Sequence, residues 1–270
     1  MSEGYEPVIT STKNPRVRAA LDLRDRRPRD DAGATLVDGI REVTRAMAGG
    51  ARLLELFADE DRLDAEGLAV VGRARAGGAR ITIVGPAVLE RLAYGDRSDG
   101  VVAVAAIPDM RLAALRLPHD PLVVVLEGVE KPGNLGAVLR SADGAGADAV
   151  IAADPRTDLF NPNAVRASIG TIFSVPVAAG TSVEVRARLA DAGARIVAAR
   201  VDGLALHTEV DLRGPVAIVL GSEAGGLSGA WNGPDIIPVR LPMLGVADSL
   251  NVSIAAAVLL YEARRQRDAG

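Results

Sequence analysis

The sequence predicts an α/β protein, with a C-terminal parallel-sheet domain preceded by a small α/β sandwich. Three observations point there. Short strand-like runs alternate with helical segments along residues 34–107. The alternation restarts at Leu122-Val-Val-Val-Leu126, a near-continuous apolar run of the kind a parallel sheet buried on both faces requires. Between them, Pro108 through Pro121, with His119-Asp120, reads as a linker that packs locally. The expected domains are therefore residues 1–108 and 121–270, joined by a linker at 109–120.

In the first domain, Thr35–Val37 reads as a strand, Ile40–Ala48 as a helix and Leu53–Phe57 as a strand. Leu63–Ala76 is helical, Arg80–Val84 a strand, Pro86–Leu92 a helix and Gly100–Ile107 a strand. In the second, Leu122–Leu126 is followed by a helix over Asn134–Ala145, a strand at Ala149–Ala152 and a short helix at Asn163–Ser168. Val183–Ala192 is helical, Arg195–Ala198, Val216–Leu220 and Ile236–Val239 are strands, and Ser249–Arg267 is the closing helix. Periodicity alone describes a doubly wound sheet.

Composition narrows the class. With 49% hydrophobic and 24% charged residues over 270 positions, the chain has the balance of a folded globular protein. No apolar run approaches the roughly 18 residues needed to span a bilayer, and no signal peptide pattern begins the chain. A cytoplasmic location is the expectation. The absence of cysteine excludes disulfides and thiolate metal sites, and no metal is expected. His119 and His207, the only histidines, both fall in loops, which leaves no Ser-His-Asp arrangement to argue from.

A net charge of −4 hides a local asymmetry. Between Thr10 and Arg29 stand Lys13, Arg16, Arg18, Arg24, Arg26, Arg27 and Arg29, opposed only by Asp22 and Asp25. Such a run supplies phosphate contacts for a nucleic acid, or else it is a solvated arginine-rich helix. Aromatic residues are only 3% of the chain, which argues against an extended base-stacking platform. Any RNA is expected to be held by backbone and shape.

Three segments carry chemistry. Asn134-Leu-Gly136-Ala-Val-Leu-Arg140 opens a helix, where Asn134 is a good N-cap and Gly136 permits close approach. Arg140, six residues on, falls on a different helical face. Leu220-Gly-Ser-Glu-Ala-Gly-Gly226 follows an apolar strand, and its glycines allow a tight turn at the sheet edge that binds ligands in open α/β folds. Leu241-Pro242 ends a further strand, and Ser249-Leu250-Asn251 opens the last helix, with Asp248 or Ser249 as its cap. Neither a dinucleotide-binding Gly-x-Gly-x-x-Gly after a strand nor a P-loop is present.

These three segments, in this order, resemble the SpoU (TrmH) family of RNA ribose 2′-O-methyltransferases, over roughly residues 120–267. Residues 1–108 resemble, more loosely, the N-terminal substrate-binding domain common in that family, through Ile9–Arg18 and Val37–Val43. The resemblance implies a SPOUT-class domain with a trefoil knot, an L30e-like first domain and S-adenosyl-L-methionine as cofactor. It implies that Leu220, Gly221, Leu241, Ser249, Leu250 and Asn251 bind the cofactor. Leu241 and Leu250 would flank the adenine, and Ser249 and Asn251 would sit near the methionine end. Asn134, Arg140, Glu223, Ser249 and Asn251 would form the catalytic set. The stretch Asn161–Pro176 also matches a family pattern, and places Arg166 and Ser168 near the substrate or in packing roles. Val239-Arg240-Leu241 replaces the more usual Ile-x-Ile, a minor departure.

Arg140 is implied as the catalytic arginine, yet a guanidinium with a pKa above about 12 is a poor general base. Bidentate grip on a substrate phosphate, orienting the ribose hydroxyl for in-line attack, suits its chemistry better. The proton acceptor is that phosphate, water or a strongly perturbed Arg140. The extra first domain points to ribosomal RNA of the 23S type, with transfer RNA as the alternative substrate. A catalytically silent RNA-binding ribosome-assembly factor is the alternative of another class. Finally, Ile254, Val258 and Tyr261 recur at helical spacing, a stripe either buried internally or, as the resemblance implies, paired in a homodimer through this helix and the knot.

Overall fold

A computed structural model describes residues 7–93, 99–222 and 225–269. The chain divides into two compact units, Met1–Pro108 with Phe160–Ser174, and Asp109–Leu159 with Val175–Gly270. Residues 109–120 thus group with the second unit, and a later excursion of the chain groups with the first.

The first unit holds α1 (Pro15–Asp22), α2 (Arg26–Ala32), β1 (Ala34–Asp38), α3 (Ile40–Ala48), β2 (Leu53–Ala58), α4 (Ala65–Ala76), β3 (Arg80–Ile83), α5 (Pro86–Leu92) and β4 (Val101–Ala106). Its sheet runs β1-β4-β2-β3, with β4 antiparallel to both neighbours and β2 parallel to β3. Local chemistry sets the helix starts. Asn14 caps α1 by accepting from Arg16 N, and Asp64 caps α4 by accepting from Gly67 N. Pro86 begins α5, where its fixed φ suits the first turn. Apolar residues of the helices, including Val17, Val88, Leu89 and Leu92, bury against Leu36, Phe57 and Val102 of the strands.

The second unit contains β5 (Leu122–Glu127), α6 (Pro132–Ala145) and β6 (Ala149–Ala153). After α7 (Pro162–Ala167), which lies in the excursion, come β7 (Val177–Gly180), α8 (Ser182–Asp191), β8 (Arg195–Ala199), β9 (Ala205–Leu206), β10 (Val216–Leu220), β11 (Ile236–Arg240) and α9 (Val252–Asp268). The seven strands form one sheet, β7-β6-β5-β10-β8-β11-β9, and every pairing is parallel. All residues of β5 and β10 are buried, which explains their unbroken apolar sequence. Gly146 ends α6 in the left-handed conformation, φ 68°.

Two helix starts differ from the sequence reading. Asn134 does not cap α6; the helix begins at Pro132 with Lys131 in the cap position, because proline at the first helical residue sets the start earlier. Neither Asp248 nor Ser249 caps α9; Asn251 does, its Oδ1 accepting from Ser253 N at 2.9 Å. Strand β7 was not anticipated, since Val-Ala-Ala-Gly carries little strand signal of its own. It forms because β6 offers it a parallel ladder.

Candidate functional site

The second sheet changes direction of growth between β5 and β10: β6 and β7 extend it on one side, β8 and β11 on the other. In open parallel sheets, ligands bind beyond the carboxyl ends of the strands at such a switch point. Next to this point, beyond the ends of β10, β8 and β11, lies a cavity of about 630 Å³. Its lining comes from the exits of β8 (Arg200, Asp202), β10 (Leu220, Gly221, Ser222), and β11 (Leu241, Met243), and from Asp248, Ser249 and Leu250 ahead of α9. Apolar walls with few charged groups and this volume suit an amphiphilic small molecule.

Gly221 shows why glycine is needed at the mouth of the cavity. A Cβ there would stand 2.1 Å from the carbonyl carbon of Gly226, so the chain turns back on itself with no room for a side chain. Gly226 N donates to Ser222 O at 3.0 Å, closing the turn. Glu223, between them, lies outside the described residues.

The first and third motifs meet. Asn251 Nδ2 donates to Asn134 Oδ1 at 3.2 Å, and at the other ends of the same helices Arg264 Nε donates to Ala145 O at 2.9 Å. Helices α6 and α9 therefore run side by side in the same direction. Asn134 lines a second recess of about 250 Å³ with Glu127, Lys131, Gly221, Ser222 and Val252. Gly221, Ser222 and Val252 border both spaces, so the recess adjoins the larger cavity. Arg140 lines neither of the two. It is exposed on α6 and has no hydrogen bond or ion pair among the described residues.

The structure corrects the basic run in the first unit. Arg29 is only 1% exposed, and its Nη1 donates to the carbonyls of Leu23 and Arg24 at 2.7 Å each. A buried guanidinium spent on backbone carbonyls cannot reach RNA phosphate. Arg24 donates to Arg91 O and Ala93 O, at 2.7 and 2.8 Å, and so completes the carboxyl end of α5. Arg16 pairs with Glu55 on β2 at 2.7 Å. These three are struts, although the sequence reading counted them among RNA contacts. Lys13, Arg18, Arg26 and Arg27 remain exposed, the last two beside Asp30 and Asp31.

The excursion supplies Arg166, exposed on α7. Ser168 is fully buried and donates to Val165 O at 2.7 Å, a packing role. Two contributions were missed from sequence: the exit of β8, and Glu127. The signal for Glu127 was an acidic residue closing an otherwise apolar strand at the ligand-binding edge. No group of three or more metal-ligating side chains occurs among the described residues.

Comparison with known proteins decides the family. Residues 121–261 match the SpoU rRNA Methylase family model, and residues 14–103 match the MRM3-like substrate binding domain. The chain belongs to the SpoU rRNA Methylase family. A Streptomyces viridochromogenes 23S rRNA (uridine(2479)-2′-O)-methyltransferase is 34% identical over 92% of this chain and 88% of its own. A crystal structure of an RNA 2′-O ribose methyltransferase, 42% identical, superposes with a TM-score of 0.83, covering 96% of this chain and 99% of that one. The SpoU methyltransferase AviRb from S. viridochromogenes, in complex with the cofactor AdoMet, is 31% identical with a TM-score of 0.84, covering 96% and 100%.

The cavity fits such a cofactor in a SpoU member. The close turn at Gly221 exposes backbone to its mouth, and Leu220, Leu241 and Leu250 give apolar walls. Arg200, Asp202, Asp248 and Ser249 add polar groups to the same lining.

Proposed function

We propose that this protein is an S-adenosyl-L-methionine-dependent RNA ribose 2′-O-methyltransferase acting on 23S-type ribosomal RNA. One observation carries the reading: the loops after β10 and β11, far apart in sequence, line one cavity, the adjoining recess takes in Asn134 of the first motif, and Asn251 joins the two motif helices by its bond to Asn134. Family membership and the rRNA-acting relatives support the substrate class. When bound, the cofactor supplies a methyl group activated by its sulfonium.

The chain's own residues do the rest. Leu220, Gly221, Leu241 and Leu250 hold the adenosine end through backbone groups and apolar surface. Ser249 and Asn251 orient the methionine end, and Glu223 belongs to the catalytic set by family resemblance alone. Arg140, exposed and without a described partner, is available to grip an RNA phosphate and orient the 2′-hydroxyl, whose proton would pass to that phosphate, to water or to a strongly perturbed Arg140. Lys13, Arg18, Arg26, Arg27 and Arg166 bind phosphates by charge.

Homodimerisation belongs to the same reading. Ile254, Val258 and Tyr261 on α9 are 53%, 38% and 54% exposed, an apolar stripe that a second copy would cover. The reading also includes a threaded C-terminal segment, supported by the exits of β8, β10 and β11 sharing one cavity wall, and a cytoplasmic location alongside the ribosome.

Tritium transfer from labelled cofactor to purified rRNA and tRNA pools tests the activity. Label is expected in 23S rRNA. Label in tRNA alone overturns the substrate, and none in either favours a silent assembly factor. Sedimentation as a 27.9 kDa species at micromolar protein overturns the dimer.

A further inference from the structure

Glu127 ends the interior strand β5 and is 7% exposed. Its Oε2 accepts from Ser228 N at 2.7 Å, and its Oε1 accepts from Ser228 Oγ at 2.6 Å and from Ser182 Oγ at 2.7 Å. Ser182 opens α8, and its N and Oγ lie 3.0 and 2.6 Å from Asp154 Oδ2. Asp154 follows β6 and holds a left-handed φ of 45°, uncommon outside glycine. Asp154, Ser182 and Glu127 stand at or just beyond the carboxyl ends of β6, β7 and β5, and Ser228 follows the glycine turn that leaves β10. Those four strands are consecutive neighbours in the sheet. One chain of hydroxyl and carboxyl groups thus ties three adjacent strand ends to the turn that leaves the fourth.

No ion pair with Glu127 occurs among the described residues. A buried carboxyl held only by hydroxyl and amide donors is costly to keep, and an apolar residue there would continue the pattern of β5. Its place gives it a role. Ser228 directly follows Leu227, and Gly221, Ser222, Gly226 and Leu227 of the glycine turn line the large cavity. Gly221 and Gly226 fix the turn at its start by backbone contact. Glu127 fixes it at its end by two bonds to one residue.

We propose that Glu127 is a positioning residue for the cofactor: it holds the exit of the glycine turn so that the cavity wall is preformed before binding. The inference rests on the methyltransferase reading above. It predicts an effect on cofactor affinity larger than on the chemical step, because Glu127 touches the turn and not the reacting atoms.

Glu127→Gln keeps the side chain's size but replaces one acceptor oxygen by an amide that cannot accept from Ser228 or Ser182. Calorimetry with S-adenosylmethionine is expected to show Kd raised about tenfold or more, as for loss of a hydrogen bond to a buried carboxyl. Turnover at saturating cofactor should stay within about threefold of wild type, which separates a positioning role from a catalytic one. Ser228→Ala removes the hydroxyl but keeps the backbone bond, and should weaken binding by a smaller factor. Unchanged affinity in folded Glu127→Gln overturns the inference. Should that variant fail to fold, unchanged affinity in Ser228→Ala overturns it instead. Wild-type protein that binds no cofactor sinks the methyltransferase reading itself, a distinct outcome.

Discussion

The side-chain amide of Asn251 donates to Asn134 Oδ1 at 3.2 Å across 117 residues of sequence. The same Asn251 caps α9 with its own Oδ1. One side chain therefore starts the last helix and joins it to the helix that carries Arg140. Asn251→Ala should lower unfolding stability by about 1 kcal/mol through the lost cap, and reduce turnover as well. Chemical denaturation and cofactor-saturated kinetics check the two effects. Full activity with lowered stability would leave Asn251 a structural cap only.

Arg140 is exposed and without a partner among the described residues, so its removal should disturb little of the fold. Arg140→Ala should bind cofactor normally while turnover falls by about 100-fold or more, roughly 2.7 kcal/mol of transition-state stabilisation. Near-normal turnover on intact RNA would falsify the assignment.

Gly221→Ala should do the opposite. Its methyl would meet the Gly226 backbone at 2.1 Å, and rigid backbone cannot yield as a flexible side chain would. The turn must open, so cofactor binding measured by calorimetry should be lost or strongly weakened. Unaltered affinity would show that the turn is not part of the binding wall.

The basic residues of the first unit separate into two behaviours. Replacing Lys13, Arg18, Arg26 and Arg27 with Ala should weaken RNA binding and flatten its salt dependence, because fewer counterions are released. Arg29→Ala should instead lower stability by about 1–3 kcal/mol, since it strands the carbonyls that its guanidinium satisfies. Filter binding across a salt series, paired with thermal melting, distinguishes them. Unchanged RNA affinity in the fourfold variant would return those cations to a solvated surface.

Acid should reveal a third contribution. The Arg265 guanidinium beside Glu262, with Gln266 Nε2 also donating, holds the Glu262 carboxyl at about 2, below its ordinary 4.5. A folded value below the unfolded one means that ionised Glu262 stabilises the fold fully above about pH 4.5 and progressively less as pH falls toward 2. The melting-temperature gap between wild type and Glu262→Gln should therefore narrow across that window. A gap independent of pH would rule the ion pair out as a source of stability.

Sequence alone determined most of the longer elements and the glycine-rich character of the loops. The apolar runs of β5 and β10 read as buried parallel strands, Ile40–Ala48 lies between glycines at 39 and 49, and Pro86 marks the start of α5. Glycines at 221 and 226 declared a turn too tight for side chains. These signals are local, because they depend on period, capping and backbone freedom. Partnership is not local. Lys13 and Arg29 read alike in the sequence, yet one is exposed and the other is sealed among carbonyls. Arg24 gives no hint that it closes a helix 67 to 69 residues away. The grouping of Phe160–Ser174 with the first unit, the Asn134–Asn251 bond and the hydroxyl–carboxyl chain through Glu127 were likewise decided in three dimensions. A donor's partner is whatever the fold brings within about 3 Å, and periodicity carries no record of that distance.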